Sequence, residues 1–236
     1  MHEIRMAQPG KNALSTNLMA FLEAELHKSD GEPILLTGDG DAFSAGVDLR
    51  EIANADAATI ERFLRRLDAL VARLWLHPAP VVALVNGHAI AGGCILALAA
   101  DWRIAPAGAK AKIGLNELAL GACIPPACLR VVRHRLGERG AERAIFGASL
   151  LSVDEAARAG FVDEVVEGDA THAALAKLQA LAALPRAAYG TMKHGLRAES
   201  LRTSAWDEER LLGREVPIWA SSDMKRRIEV LLGKGR

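Results

Sequence analysis

An α/β core followed by an all-helical region is the architecture this sequence predicts, and three observations predict it. Short apolar, strand-like runs alternate with amphipathic helical stretches from about residue 33 to residue 166. After Gly168 the pattern is helical only. The chain has 236 residues, of which 50% are apolar and 25% charged, enough for a sizeable core and too apolar for disorder. Residues 1–184 are expected to form the core, and residues 185–236 a helical region that serves oligomerisation.

The elements follow in order. Ser15 to Lys28 places Leu18, Phe21, Leu22, Ala24 and Leu26 largely on one helical side. Pro33 to Thr37 reads as a buried strand ended by the turn Gly38-Asp39-Gly40-Asp41. Ala57 to Leu76 is a long helix, with Ile60, Leu64, Leu67, Val71 and Leu74 at helical spacing, and Pro78 and Pro80 stop it. Val81 to Val85 is the next strand and Asn86-Gly87 a turn, after which Gly92 or Gly93 opens a helix that runs through Ala100. Trp102–Ala105 and Ala111–Leu115 suggest two further strands, and Phe161–Val166 the last one. From Pro125 the pattern is mostly helical, with stops at Gly137, Gly147 and Gly160 and a capping box at Ser152-Val153-Asp154-Glu155. Three helical stretches close the chain: Asp169–Leu184, Pro185–Ala198, and one from about Ser204. The last two carry Met192, Leu196, Leu201, Trp206, Leu211, Leu212, Ile218 and Trp219, more apolar surface than a solvated tail would hold.

Charge and cysteine usage narrow the functional classes. Lys plus Arg and Asp plus Glu are 29 each, so nothing in the net charge attracts nucleic acid or an anionic membrane. A local basic excess at the end (Lys225, Arg226, Arg227, Lys234 and Arg236 against Glu229) reads first as a solvated helix end, and otherwise as a contact to phosphates. Cys94, Cys123 and Cys128 are too few for a disulfide framework and lack a second pair for zinc; no metal is expected. No apolar run reaches membrane-spanning length, and residues 1–20 do not look like a secretory leader. The expected compartment is the cytoplasm.

Three features carry chemistry. Phe43-Ser44-Ala45-Gly46-Val47-Asp48 and Gly92-Gly93-Cys94 are small-residue turns, where a ligand can approach the main chain and N–H groups from Ala45 and Gly92 can meet on one oxygen. Such a pair is an oxyanion hole, and Glu117 is a carboxylate able to move protons beside it. The Gly38–Asp41 turn is neither a dinucleotide nor a calcium loop, since Phe43 stands where the former needs glycine and the latter a polar ligand. No Gly-x-Ser-x-Gly elbow is present.

These turns, the lead-in Pro80-Val81-Val82-Ala83-Leu84-Val85-Asn86-Gly87-His88-Ala89, then Asp101-Trp102-Arg103-Ile104-Ala105 and Ile113-Gly114-Leu115-Asn116-Glu117, resemble the crotonase (enoyl-CoA hydratase/isomerase) superfamily in the family's order. Pro9 to Leu14 and Ser152 to Val165 extend the resemblance over roughly residues 9–166, with the helical tail matching more loosely. The resemblance implies a crotonase-type spiral of ββα units with a C-terminal helical trimerisation region, and a homotrimer or a dimer of trimers. It implies that Ala45 and Gly92 are the oxyanion donors and Glu117 the family's second catalytic glutamate. Lys11, Asn12, Ala13, Ser44, Val47, Asp48, Leu49 and Gly93 fall where the family binds CoA, which enters as part of an acyl-CoA substrate and not as a cofactor. Asp48 also reads as a helix N-cap. Hydratases of this family carry a further glutamate where this chain has Ile95, and residues 113–117 with Ile124-Pro125-Pro126 resemble the one-glutamate Δ3,Δ2-enoyl-CoA isomerases. The expected reaction is therefore the 3-enoyl to 2-enoyl shift, with hydration or another acyl-CoA reaction as the alternative, and a non-catalytic CoA- or RNA-binding protein as the remote one.

Overall fold

A computed structural model describes residues 1–233, so Lys234 and Arg236 lie outside the described residues. The first half of the chain winds through β1 (His2–Met6), α1 (Pro9–Asn12), α2 (Thr16–Lys28), β2 (Ile34–Gly38), β3 (Ala42–Ser44), α3 (Leu49–Ala53), α4 (Ala57–Trp75), β4 (Val81–Leu84), β5 (His88–Ile90), α5 (Gly92–Ala99), β6 (Trp102–Pro106), β7 (Ile113–Gly114) and α6 (Glu117–Leu120). Then come α7 (Pro126–Gly147), α8 (Val153–Arg158), β8 (Glu164–Val166), α9 (Ala170–Ala182), α10 (Arg186–Arg197), α11 (Ala205–Arg210), a π-helical turn over Leu211–Glu215, α12 (Val216–Ala220) and α13 (Ser222–Gly233). No helix among these is long and apolar enough to cross a membrane.

The strands fall into two parallel sheets, β1-β2-β4-β6-β8 and β3-β5-β7. From β2 to β7 successive strands alternate between the sheets, so each turn of chain adds one strand to each layer before a helix carries it onward. This is the spiral of ββα units that the resemblance implies. Parallel strands are buried on both faces, which is why β4 reads as an unbroken apolar run and every residue of β2, Thr37 included, is buried. One face meets the main core built on α2, α4, α5 and α7, and the other packs Leu35, Val82, Leu84 and Ile104 against Ala174 and Leu178 of α9.

Several sequence-derived boundaries change. β1, β3 and β5 were not expected as strands, because three to five residues leave too little alternation to read. The last strand begins at Glu164, while Phe161 and Val162 pack into the core. Gly137 (φ +69) breaks α7 without ending it. The capping box at Ser152 forms as expected.

The C-terminal helices are built into the core's surface. Lys193 and Arg197 of α10 reach the buried Asp101 carboxylate at 2.8 and 2.6 Å, where Tyr189 Oη and the Val81 N–H also donate. Arg197 further stacks on Trp75 and donates to its carbonyl. Burial alone would raise the Asp101 carboxyl, but the two cations hold it below its ordinary range. Downstream, α12 packs on α4 and α13 on α3 and α6. Of the tail's apolar residues, Leu211 and Trp219 are therefore buried in their own chain, whereas Met192, Leu196 and Trp206 stay exposed.

Candidate active site

A cavity of about 120 Å³ opens where the two small-residue turns meet α6. Ala45, Val47, Gly92, Ile95, Asn116 and Glu117 contribute to its walls. Strand β3 and the N-terminus of α5 lie against each other here. A Cβ at Gly93 would sit 2.4 Å from Ser44 O, so only glycine permits this approach. Gly93→Ala should lower stability by about 1–3 kcal/mol and displace the turn. Thermal unfolding and acyl-CoA affinity, both expected to fall, would measure it; unchanged values would show that β3 yields freely.

Glu117 heads α6 and is 8% exposed, with no hydrogen-bond partner for its Oε2 among the described residues. Burial pushes its carboxyl up to about 7 from an ordinary 4.5. A carboxyl poised there is matched to taking a proton and returning it. Ile95, 2% exposed, lines the same cavity and offers no second polar group. Among the described residues no group of three His, Cys, Asp or Glu side chains is placed to hold a metal ion.

One expected donor is corrected. The Ala45 N–H already donates to Lys11 O at 3.0 Å, so it is not free for a ligand oxygen. Two residues on, Leu14 and Val47 form a parallel bridge whose hydrogen bonds use Gly46 O and the Asp48 N–H. The Val47 N–H faces away from that bridge and has no partner among the described residues. Gly46, at φ +83, makes the turn that reverses the N–H direction between 45 and 47. The Gly92 N–H, at the head of α5 and on the same cavity, has no partner among the described residues, and the helix dipole there favours a negative oxygen.

The expected CoA contacts also divide. Asn12 is buried, its side chain holding Asp39 O, Ala42 O and the Gln8 N–H, while Ser44 Oγ donates to Asn12 O. Both fasten α1 to β3 and have no surface for a ligand; Gly93 and Ala13 are likewise buried. Lys11 is exposed and pairs with Asp41 at 2.6 Å. Asp48 is the N-cap of α3, accepting from the Arg50 N–H at 2.9 Å, and Leu49 lines the cavity rim. Of these expected contacts Val47 and Leu49 line the cavity, whereas Lys11 and Asp48 do not. Arg226 and Arg227 pair with Asp223 on α13, as in a solvated helix face.

Sequence reasoning missed Trp219 and Leu231, which line the cavity from the C-terminal helices. Trp219 stood out as apolar, but only the packing of α12 on α4 turns it into the site.

Known proteins resemble this chain in sequence and in fold. The sequence model of the family described as enoyl-CoA hydratase/isomerase matches residues 1–210. The mitochondrial enoyl-CoA delta isomerase 1 of Rattus norvegicus is 33% identical over 174 residues, which is 72% of this chain but only 60% of that protein's length. A probable enoyl-CoA hydratase of Mycobacterium avium is 32% identical over 202 residues, 82% of this chain and 76% of its own. The crystal structure of human mitochondrial Δ3-Δ2-enoyl-CoA isomerase superposes with a TM-score of 0.90 at 27% identity, covering 98% of this chain and 93% of the human one.

Proposed function

The chain belongs to the enoyl-CoA hydratase/isomerase family, and on that premise we propose that it isomerises 3-enoyl-CoA to 2-enoyl-CoA with Glu117 as the single proton shuttle. In this reading the Val47 and Gly92 N–H groups hold the thioester oxygen. Glu117 takes a proton from C2, and the electron pair spreads into a dienolate whose oxygen lies in the hole. The same carboxyl returns the proton at C4, leaving the double bond between C2 and C3. One group both accepts and donates, so no second acid, bound water or separate cofactor is needed.

The observation that carries the proposal is Glu117 facing an apolar cavity in which Ile95 supplies nothing polar. Hydration requires a water held and deprotonated while the α-carbon is protonated, and a lone carboxylate with no second anchor serves that poorly. Relatives bear both isomerase and hydratase names, which makes the comparison of rates the test. The wild-type protein should isomerise a 3-enoyl-CoA at least about 100-fold faster than it hydrates crotonyl-CoA, an estimate from the usual worth of a positioned acid–base group. Equal rates would replace the isomerase reading with a hydratase one.

We further propose a homotrimer or a dimer of trimers. Leu184, Met192 and Leu196, all at least half exposed, leave a contiguous apolar face along α9 and α10 that assembly would cover. Light scattering should give three or six times the chain mass; a monomer at micromolar concentration would exclude it.

A further inference from the structure

The cavity has an open side and a closed one. Leu49, partly exposed, and Leu231, 50% exposed, stand at its mouth between α3 and α13. The buried part of the lining includes Leu64 and Leu67 of α4, Pro125 and Trp219, with Cys123 half-buried beside them. Trp219 is 3% exposed, and its Nε1–H donates to Cys123 O at 3.1 Å, which fixes the indole among the lining residues. Four residues earlier, Glu215 pairs with Arg210 at 2.9 Å across the π-helical turn that precedes α12. The indole therefore sits on a segment tied to both α4 and the loop before α7.

Resting on the acyl-CoA chemistry proposed above, we infer that Trp219 closes the acyl end of this cavity and restricts the protein to short, uncharged acyl groups of about six carbons. The volume sets the length. A cavity of about 120 Å³ is slightly smaller than the roughly 150 Å³ apolar cavity that accepts a benzene ring. The lining sets the chemistry: among the described residues Glu117 is the lone charged side chain on these walls, so a terminal carboxylate would meet no counter-ion from them.

Binding of saturated acyl-CoAs tests this apart from catalysis, since no double bond has to move. Each methylene that finds room should tighten binding about fourfold. Dissociation constants measured by calorimetry should fall from butyryl- to hexanoyl-CoA by roughly 15-fold on that scale, then level off or rise at decanoyl- and dodecanoyl-CoA. Adipoyl-CoA should bind at least about tenfold more weakly than hexanoyl-CoA. Trp219→Ala should move the break in the series to longer chains, while Trp219→Phe, which keeps most of the bulk, should leave it near six carbons. Steady tightening to dodecanoyl-CoA in the wild type would overturn the inference even if Trp219→Ala failed to fold. An inactive protein with the expected break would instead count against isomerisation and leave the length limit standing.

Discussion

Glu117→Gln should reduce isomerisation by about 10²–10⁴-fold, the usual worth of a positioned general base, and at the same time make the folded protein more stable above pH 7. The two effects share one cause. Holding the carboxyl near 7 instead of 4.5 means that its ionised form costs about 3 kcal/mol in the native state. The folded state keeps its proton at pH values where the unfolded chain has lost it. Stability contributed by this group is therefore lost as pH rises from about 4.5 to about 7. The amide carries no charge and escapes that loss. Chemical denaturation at pH 8 should show the variant more stable by up to about 3 kcal/mol, and wild-type kcat/KM should fall on the acid side of an apparent pKa near 7. Near-normal turnover in the folded variant would remove Glu117 from the mechanism.

Asp101→Ala is expected to be among the most damaging single changes to the fold. Its carboxylate compensates Lys193 and Arg197, both buried, and also accepts from Tyr189 and Val81. Deleting it leaves two buried cations unpaired, a loss of about 3–5 kcal/mol. Urea titration should show a transition at much lower concentration than the wild type. Adding Lys193→Met and Arg197→Met to the variant should restore much of the loss, because an apolar cluster of similar volume costs no desolvated charge. Failure of that rescue would mean the carboxylate does more than neutralise. In the wild type the same pair predicts acid sensitivity. Asp101 is held below its ordinary range, so the stability it supplies at neutral pH disappears only when the pH falls far enough to protonate it in the folded state.

Much of this fold is legible because its information is local. Apolar periodicity marks α2 and α4, the β4 run declares a doubly buried strand, and Ser152 with Glu155 announces α8 by chemistry confined to four residues. Glu117, Gly92 and Ile95 stood out only through the resemblance to the family's motifs, and all three line one cavity. What escaped depends on contacts between distant segments. No residue-type signal separates the Ala45 N–H from that of Val47; the choice is made by Lys11 O, more than thirty positions upstream, and by the bridge to Leu14. Asn12 and Ser44 stood in ligand-binding positions, but their polar atoms are consumed by joining α1 to β3. Trp219 was visible as apolar surface, and only the burial of α12 decides that it faces a cavity and not a neighbouring subunit.

The distance in sequence between Asp101 and its cations has a consequence during synthesis. Lys193 leaves the ribosome 92 residues after Asp101, a delay of roughly 5–20 s at ordinary translation speeds. Trp219 emerges later still. Throughout that interval the growing chain holds a carboxylate without these two cations at the start of an inner strand, and an apolar slot without Trp219. Such a chain can collapse but cannot finish, and holding chaperones bind that kind of exposed surface. Message truncated before the codon for Lys193 should therefore yield a product that is destroyed, not one that accumulates as an inactive protein.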